Sequence, residues 1–449
     1  MFAPAMQVRR ACPGALLMSR DATLSVENSP RPWALCLAVL ATGVGAGLAG
    51  MALGMLLHAV QHLAYGYGAL GHETFLQGAS AAPPWRRVAA LMAAGLVAGL
   101  GWWPLYRYGR QLVSVRAAAG ADTPDMPVRS TLAHVLLQIV TVGLGSPLGR
   151  EVAPREAGAL WAGRVARRLA LPQAQRRILV ACGAGAGLAA VYNVPLAGAL
   201  FVLEVLLGTF DRGAALMALA TSAIAAAVAW IGLGNQIQYA LPPLALDWPI
   251  AIAALIGGPL FGLAGQAFAR ATSAARRAAP RDARLPALVL LNFAGIACLA
   301  VVLPALLGNG KGPVQLSLDA GLPLAGALLL LVLRVLITVS TLRAGAEGGL
   351  LTPGLAVGAL LALVLAQAVN LAAGGAWSLS PSAFALIGAT AFLAVSMDMP
   401  LTALVLMLEF TGAPHTMLAP LGVAVAGAVM AARWDTRRRA RVALRRNVA

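Results

Sequence analysis

Residues 149–154 read Gly-Arg-Glu-Val-Ala-Pro and place the carboxylate of Glu151 between two apolar stretches, in a pattern that indicates a helix start. An acidic side chain at membrane depth is costly, and it therefore indicates a functional site. The N-terminus of a helix presents unpaired N–H groups and the positive end of the helix dipole, so it attracts anions. A carboxylate tethered at such a place can compete with a mobile anion.

The composition around this run is that of a membrane protein. The chain has 449 residues, of which 60% are hydrophobic and only 11% are charged. A water-soluble fold of this length would carry about a quarter charged residues. Because each span needs about 20 apolar residues, the long apolar stretches predict roughly ten or more helices, several of them too short to span alone. We therefore expect an all-α, multi-pass integral membrane protein in contact with lipid.

The basic residues lie mainly in the segments that connect the apolar stretches. Lys and Arg number 33 against 16 Asp and Glu, and the formal net charge is +17. This distribution is typical of the positive-inside bias, and it predicts cytoplasmic basic segments and cytoplasmic termini, most simply in a bacterial inner membrane. Charges solvated at a headgroup surface explain the excess. No motif of a nucleic-acid-binding fold accompanies it, so we expect no nucleic-acid partner.

Cysteine and histidine spacing predicts no metal, cofactor or disulfide. The four cysteines, Cys12, Cys36, Cys182 and Cys298, show no pair spacing. His58 and His62 are one helical turn apart but have no carboxylate nearby to complete a metal site. Residues 1–31 lack the apolar run of a cleavable signal peptide and are expected to form a cytoplasmic leader.

An internal repeat divides the chain. Gly183–Glu204 and Gly388–Glu409 share 9 of 22 positions without a gap, including a Pro-Leu pair and a final Leu-Glu pair. Residues 149–154 precede the first copy, and residues 348–353 (Gly-Gly-Leu-Leu-Thr-Pro) precede the second. Paired segments interrupted by Gly and Pro predict a transporter whose site lies where the repeats meet, near the middle of the membrane.

These features predict five segments along the chain. They are a leader (1–31), a first transmembrane half (32–269), a basic linker (270–286), a second transmembrane half (287–432) and a basic cytoplasmic tail (433–449).

Four stretches resemble a known family, the CLC chloride channels and proton/anion antiporters. The stretches are 149–154, 183–204, 344–358 (AGAEGGLLTPGLAVG) and 399–411 (MPLTALVLMLEFT), and the resemblance covers about residues 32–432 in matching order. It implies an all-helical membrane fold of two inverted halves with many tilted, partly broken helices. It also implies a homodimer with one anion pathway in each subunit.

Matched position by position, Glu151 falls on the gating glutamate of that family. Its carboxylate would occupy the anion site when ionised and swing away when protonated, and in antiporters the same residue exchanges the proton. The backbone N–H groups implied to face the anion are those of Val152, Ala153, Leu350 and Leu351. The residues expected to support the site are Gly149, Arg150, Gly349 and Pro353. Chloride is the expected anion, with fluoride and nitrate as alternatives.

The chain departs from the family pattern at three functional positions. Arg110 stands where the family has a serine that contacts the central anion, Ala440 stands where it has a tyrosine, and Val205 stands where antiporters have an inner proton glutamate. Arg110 either binds the anion or turns toward the membrane interface, and the second behaviour is the commoner one. Val205 favours a channel-like pathway with weak or no proton coupling; the alternative is a proton-coupled chloride or fluoride antiporter.

For other charged residues near the apolar segments we expect structural or electrostatic roles. Glu204 and Glu409 repeat symmetrically, so we expect them to accept hydrogen bonds from a neighbouring segment's N–H groups. Arg150 and Arg155 flank Glu151 and would either pair with Glu156 or line the mouth of the pathway.

Two other classes of function fit the sequence less well. A serine enzyme is disfavoured because Ser146 lies in Gly-Leu-Gly-Ser-Pro, which is not a nucleophile motif. A cation-coupled solute transporter would use buried carboxylate pairs and unwound carbonyls, whereas this site has one carboxylate at a helix start. We therefore expect a transport protein and not an enzyme.

Overall fold

A computed structural model describes residues 32–68, 74–120, 125–244, 246–374 and 377–448, with side chains as far as residue 442. The expected leader 1–31, with Cys12, lies outside the described residues.

The described chain is almost entirely helical and contains no β-strand within those ranges. In chain order the helices are α1 (Pro32–Tyr65), α2 (Phe75–Ala81), α3 (Pro84–Tyr108), α4 (Val115–Ala118), α5 (Val128–Gly143), α6 (Val152–Arg168), α7 (Gln173–Tyr192), α8 (Pro195–Phe201), α9 (Arg212–Leu233), α10 (Trp248–Arg277), α11 (Leu285–Val302), α12 (Lys311–Leu318), α13 (Leu324–Ala344), α14 (Leu351–Ala373), α15 (Pro381–Ser396), α16 (Pro400–Thr411) and α17 (Leu418–Val448). A π-helical turn, Val202–Leu207, continues α8.

Eight of the helices in the described ranges are long and apolar enough to cross a membrane. They are α1, α3, α9, α10, α11, α13, α14 and α17. Others, such as α5 and α16, are apolar but shorter than the roughly 20 residues that a full span needs. Large apolar side chains are exposed on the spans, among them Leu216 and Ile231 of α9. Together these features confirm the multi-pass, all-helical membrane fold with partly broken helices.

The repeat in the sequence is visible as a repeat of helix packing. Helix α6 packs against α7 as α14 packs against α15, and α1 packs against α9 as α10 packs against α17. In this comparison α10 of the second half is equivalent to α1 of the first half. The structure therefore favours a division of the halves between α9 and α10, at residues 234–247. The stretch 270–286, expected to be the linker, instead begins inside α10 and ends after α11 has started. Basic residues mark a headgroup surface, and such a surface need not coincide with a repeat boundary.

Glycines allow the central helices of each half to approach closely. A Cβ atom at Gly158 of α6 would collide with the carbonyl of Gly183 in α7, and a Cβ at Gly358 of α14 would lie 2.7 Å from the carbonyl oxygen of Gly388 in α15. Small residues at a crossing let helix backbones pack against each other where lipid provides no hydrophobic drive. The two crossings hold α6 and α14 in equivalent positions, each with its N-terminus inside the protein.

Candidate functional site

The N-termini of α6 and α14 meet in the interior of the molecule. Glu151 is the N-cap of α6, and Leu350 is the N-cap of α14. The loops that lead into the two helices are joined by a short antiparallel bridge between Gly149 and Gly349. In this bridge each N–H donates to the other residue's carbonyl oxygen, both at 2.8 Å. Two helix starts from opposite halves of the chain are thus fastened together.

The carboxylate of Glu151 fills the junction between these helix starts. Glu151 is fully buried, and its Oε1 accepts a hydrogen bond of 2.6 Å from the N–H of Leu351 in the first turn of α14. None of the ion pairs in the described ranges involves Glu151. The charge is therefore held by a backbone donor and by the positive end of a helix. This is the environment that would receive a mobile anion if the carboxylate moved away.

The bridging glycines leave the space that the carboxylate occupies. A Cβ atom at Gly349 would collide with Oε1 of Glu151, and one at Gly149 would collide with Oε2. The prolines that follow, Pro154 and Pro353, are both in the first turn of their helices. A proline is tolerated in that turn because its missing N–H would have no partner within the helix. Val152 and Ala153 form the first turn of α6 between these features.

Two buried hydroxyl groups at the junction were missed by sequence reasoning. Tyr192, the last residue of α7, directs its hydroxyl to Oε2 of Glu151 at 3.4 Å and to Oγ1 of Thr352 at 3.1 Å. The signal that could have found Tyr192 is its polarity at the end of a buried small-residue helix, where the second repeat has Met397. Ala440, which stands where the resemblance places a tyrosine, is exposed on α17. Tyr192 therefore brings a phenol to the site from α7, whereas position 440 lies in α17.

The arginines beside Glu151 contact other groups than its carboxylate. The Nε of Arg155 donates to the backbone carbonyl of Glu151 at 2.9 Å, and its guanidinium lies 5.1 Å from the ring centre of Phe201. The buried guanidinium of Arg150 lies 4.9 Å from the ring centre of Tyr192. Both arginines add positive potential to the junction without forming an ion pair with the Glu151 carboxylate.

A third arginine supports the loop that precedes α6. Arg334 of α13 is fully buried and donates to the carbonyl oxygens of Leu306, at 3.0 Å, and Pro147, at 3.2 Å. Backbone oxygens thus satisfy the two terminal nitrogens of this buried guanidinium, whereas its Nε has no partner among the described residues. Arg334 thereby orients the loop from which Glu151 emerges.

A cavity of about 640 Å³, which we call the basic cavity, reaches the junction from one side. It extends to Val152 and Gly348, the chain neighbours of Glu151 and Gly349. Its charged lining residues are Arg110, Glu156, Arg276, Arg281 and Glu347. Arginines outnumber glutamates in this lining, so the cavity raises the local concentration of anions. Positive-inside bias predicts that this side of the protein is cytoplasmic.

Arg110 lies in the loop after α3, is exposed and lines the basic cavity. The structure therefore places its guanidinium along the approach to Glu151 and not in the junction itself.

Glu156 also lines the basic cavity, and its ion-pair partner is His134 of α5. Nδ1 of His134 lies 2.8 Å from Oε2 of Glu156, and the amide of Gln138 donates to the same oxygen at 3.3 Å. Sequence reasoning considered an arginine as the partner of Glu156. His134 was missed because it is 22 residues away on another helix and belongs to no motif.

Glu204 and Glu409 each accept hydrogen bonds from the start of a helix in the other half of the chain. Glu204 accepts hydrogen bonds of 2.9 and 2.8 Å from the first N–H groups of α16, and Glu409 accepts bonds of 2.9 and 2.8 Å from those of α8. A carboxylate at a helix N-terminus satisfies donors that the helix cannot, and it interacts favourably with the dipole. The pair links the halves at the contact between α8 and α16.

The chain is similar to known proteins over most of its length. A family model described as voltage gated chloride channel matches residues 94–433. The voltage-gated ClC-type chloride channel ClcB of Yersinia pestis is 32% identical over 366 residues, which cover 78% of this chain and 86% of the relative. The H(+)/Cl(-) exchange transporter ClcA of Cronobacter sakazakii is 29% identical over 441 residues, which cover 95% of this chain and 90% of the relative.

Two solved structures share the fold at low sequence identity. A slow cyanobacterial Cl-/H+ antiporter matches with a TM-score of 0.77 and 21% identity, over 90% of this chain and 95% of the other. A CLC-type fluoride/proton antiporter matches with a TM-score of 0.64 and 22% identity, over 89% and 96% of the two chains. At these identities the likeness shows the fold alone.

Proposed function

Because the chain belongs to the voltage-gated chloride channel family, we propose that it carries chloride or a similar small anion across a membrane along a pathway gated by Glu151. One observation supports this role above the others. The carboxylate of Glu151 accepts a hydrogen bond from the N–H of Leu351, where the starts of two helices meet. A carboxylate held by this backbone donor occupies the place that a halide would take. Backbone donors solvate an anion without trapping it behind a full positive charge, which conduction requires.

Protonation provides the means of opening. A hydrogen bond to a charged acceptor is worth about 1.5–3 kcal/mol, against about 0.5–1.5 kcal/mol for a neutral pair. A protonated Glu151 therefore loses much of its attraction to Leu351, and an anion from the basic cavity can displace it. The anion would then meet the N–H of Leu351 and the hydroxyl of Tyr192, with the N–H groups of Val152, Ala153 and Leu350 nearby.

The form of transport is the finer part of the proposal. The relatives include a protein named as a channel and one named as an H(+)/Cl(-) exchanger, so their names do not separate the two forms. Val205 in place of an inner glutamate favours a channel-like pathway with weak or no proton coupling. A proton-coupled chloride or fluoride antiporter is the second candidate, and Glu156 with His134 in the basic cavity is the observation that favours it.

The assembly belongs to the same proposal. We expect a homodimer with one such pathway in each subunit, and both termini in the cytoplasm.

Anion efflux from reconstituted vesicles tests the proposed function. Purified protein is placed in vesicles loaded in turn with chloride, fluoride and nitrate, and the release of each anion is followed with an ion-selective electrode. We expect release of chloride well above that of protein-free vesicles once a potassium ionophore relieves the charge imbalance. If none of these anions leaves faster than from protein-free vesicles, the proposed function is wrong.

A further inference from the structure

Glu156 and His134 form a titratable pair that gating by Glu151 does not use. Both side chains are largely buried, with 13% and 9% of their surfaces exposed, and 2.8 Å separates Oε2 of Glu156 from Nδ1 of His134. An acidic group within a membrane protein is costly and therefore indicates a pathway or a relay. A carboxylate paired with an imidazole can hold an extra proton near neutral pH, because the unperturbed imidazole titrates there.

The pair lies between the basic cavity and the gate. Glu156 and Glu151 belong to the same helix start, and five residues correspond to about 7–8 Å along the axis of α6. Helix α6 runs from the junction toward Arg167, and Glu156 lines the basic cavity whereas Glu151 is fully buried. Glu156, His134 and Val152 all line the basic cavity. Water in this cavity would therefore connect the pair both to the solution and to the position next to the gate.

The arginines around Glu156 are engaged with other groups. Arg276 pairs with Glu347 at 3.3 Å and donates to the carbonyl of Gly348 at 2.8 Å. Arg155, the chain neighbour of Glu156, donates to the carbonyl of Glu151, and its positive charge also acts on the carboxylates of Glu151 and Glu156. The other titratable or polar side chains that line the cavity are Tyr106, Arg110, Gln111, Ser114, Gln138 and Arg281. The ion-pair partner of Glu156 is therefore a histidine and not one of these arginines.

We propose that Glu156 and His134 are the proton-accepting site of the basic cavity and that they pass protons to Glu151. The inference rests on the proposed function and departs from the weak coupling that Val205 suggested. The proton moves through cavity water from the Glu156 carboxyl to the Glu151 carboxylate, so that Glu156 becomes ionised and Glu151 becomes neutral. The neutral Glu151 then yields the N–H of Leu351 to an anion. No other bond changes, and the proton and the anion share one cavity.

Proton movement driven by a chloride gradient tests this proposal. Vesicles with high internal chloride and equal pH on both sides are clamped at zero membrane potential with potassium and valinomycin, and proton uptake and chloride release are recorded together. We expect chloride release to drive protons inward. In Glu156→Gln we expect the protons moved per chloride to fall by at least about tenfold, a threshold set below the roughly 10²–10⁴-fold that a positioned acid or base contributes.

Two further variants separate the proton role from a structural one. Glu347→Gln is the matched control, because Glu347 is the other carboxylate of the basic cavity; it should keep the wild-type number of protons per chloride even if its chloride rate changes. The exchange His134→Glu with Glu156→His keeps one acid and one imidazole in contact and should restore coupling. That variant also serves if Glu156→Gln fails to fold.

The outcomes are distinct. Wild-type protein that releases chloride without moving protons, or Glu156→Gln protein that couples like wild type, overturns the proton site but leaves the anion pathway intact. Protein that releases no anion refutes the proposed function instead.

Discussion

Replacing Glu151 by glutamine removes the charge of the proposed gate and keeps its size. The 2.6 Å hydrogen bond from Leu351 N–H changes from charge-assisted to neutral, a loss of about 1–1.5 kcal/mol. The N-terminal end of α14 also ceases to attract the group, which removes about 0.5–1 kcal/mol more. Since 1.4 kcal/mol is a factor of ten, a total of about 2 kcal/mol raises the population of the displaced side chain about 30-fold. The variant should resemble the protonated wild type at every pH.

Chloride efflux from vesicles at neutral and at acidic pH measures this effect. We expect wild-type efflux to rise on acidification, and Glu151→Gln efflux to be fast at neutral pH and nearly independent of pH. Glu151→Ala is the companion variant, because it removes the side chain that fills the junction and should be at least as fast. Glu151→Gln protein that keeps the pH dependence of the wild type would show that another group is the gate, and the reasoning from Leu351 would be refuted.

Three further changes have definite expected outcomes. Tyr192→Phe removes one hydroxyl contact to Glu151 and should raise neutral-pH chloride efflux by up to about fivefold, the equivalent of about 1 kcal/mol. In a Glu151→Gln background the same substitution should leave efflux unchanged, and an equal effect in both backgrounds would exclude an action through Glu151. Arg110→Ser removes a positive charge from the basic cavity, so chloride efflux should fall severalfold at low ionic strength and recover in high salt, where screening shortens the range of the charge; a loss that is independent of salt would contradict this. Glu409→Gln weakens the cap on α8 by about 1–2 kcal/mol and should lower the thermal unfolding midpoint in detergent, whereas an unchanged midpoint would show that the cap contributes little.

The local chemistry of the site was readable from the sequence. Gly149 and Pro154 bracket a carboxylate in an apolar setting, and this pattern predicted that Glu151 stands at a helix start, where the structure has its N-cap. The symmetric recurrence of Glu204 and Glu409 predicted hydrogen bonds to backbone N–H groups, because a repeated carboxylate in repeated helices points to a repeated backbone contact. Such inferences need only residues that are close in the chain.

Contacts between distant segments were not readable in this way. The donor to Glu151 is the N–H of Leu351, 200 residues away, and the partner of Glu156 is a histidine on α5. Tyr192 stands where the second copy of the repeat has the apolar Met397, and no motif marks its hydroxyl. The boundary of the halves was placed at a basic cluster, although helix packing aligns α10 with α1.

The sequence alone determined that this protein lies in a membrane, that it is built of two related helical halves, and that one carboxylate interrupts the apolar interior at a helix start. These properties follow from composition, from the low polarity of lipid and from the local geometry of glycine and proline. Only the tertiary structure decided which backbone amide holds that carboxylate, which hydroxyl faces it and which imidazole pairs with Glu156 farther along the same helix. How closely the helices cross determines those neighbours, and the distance between crossing helices depends on glycines and side chains that are far apart in the chain.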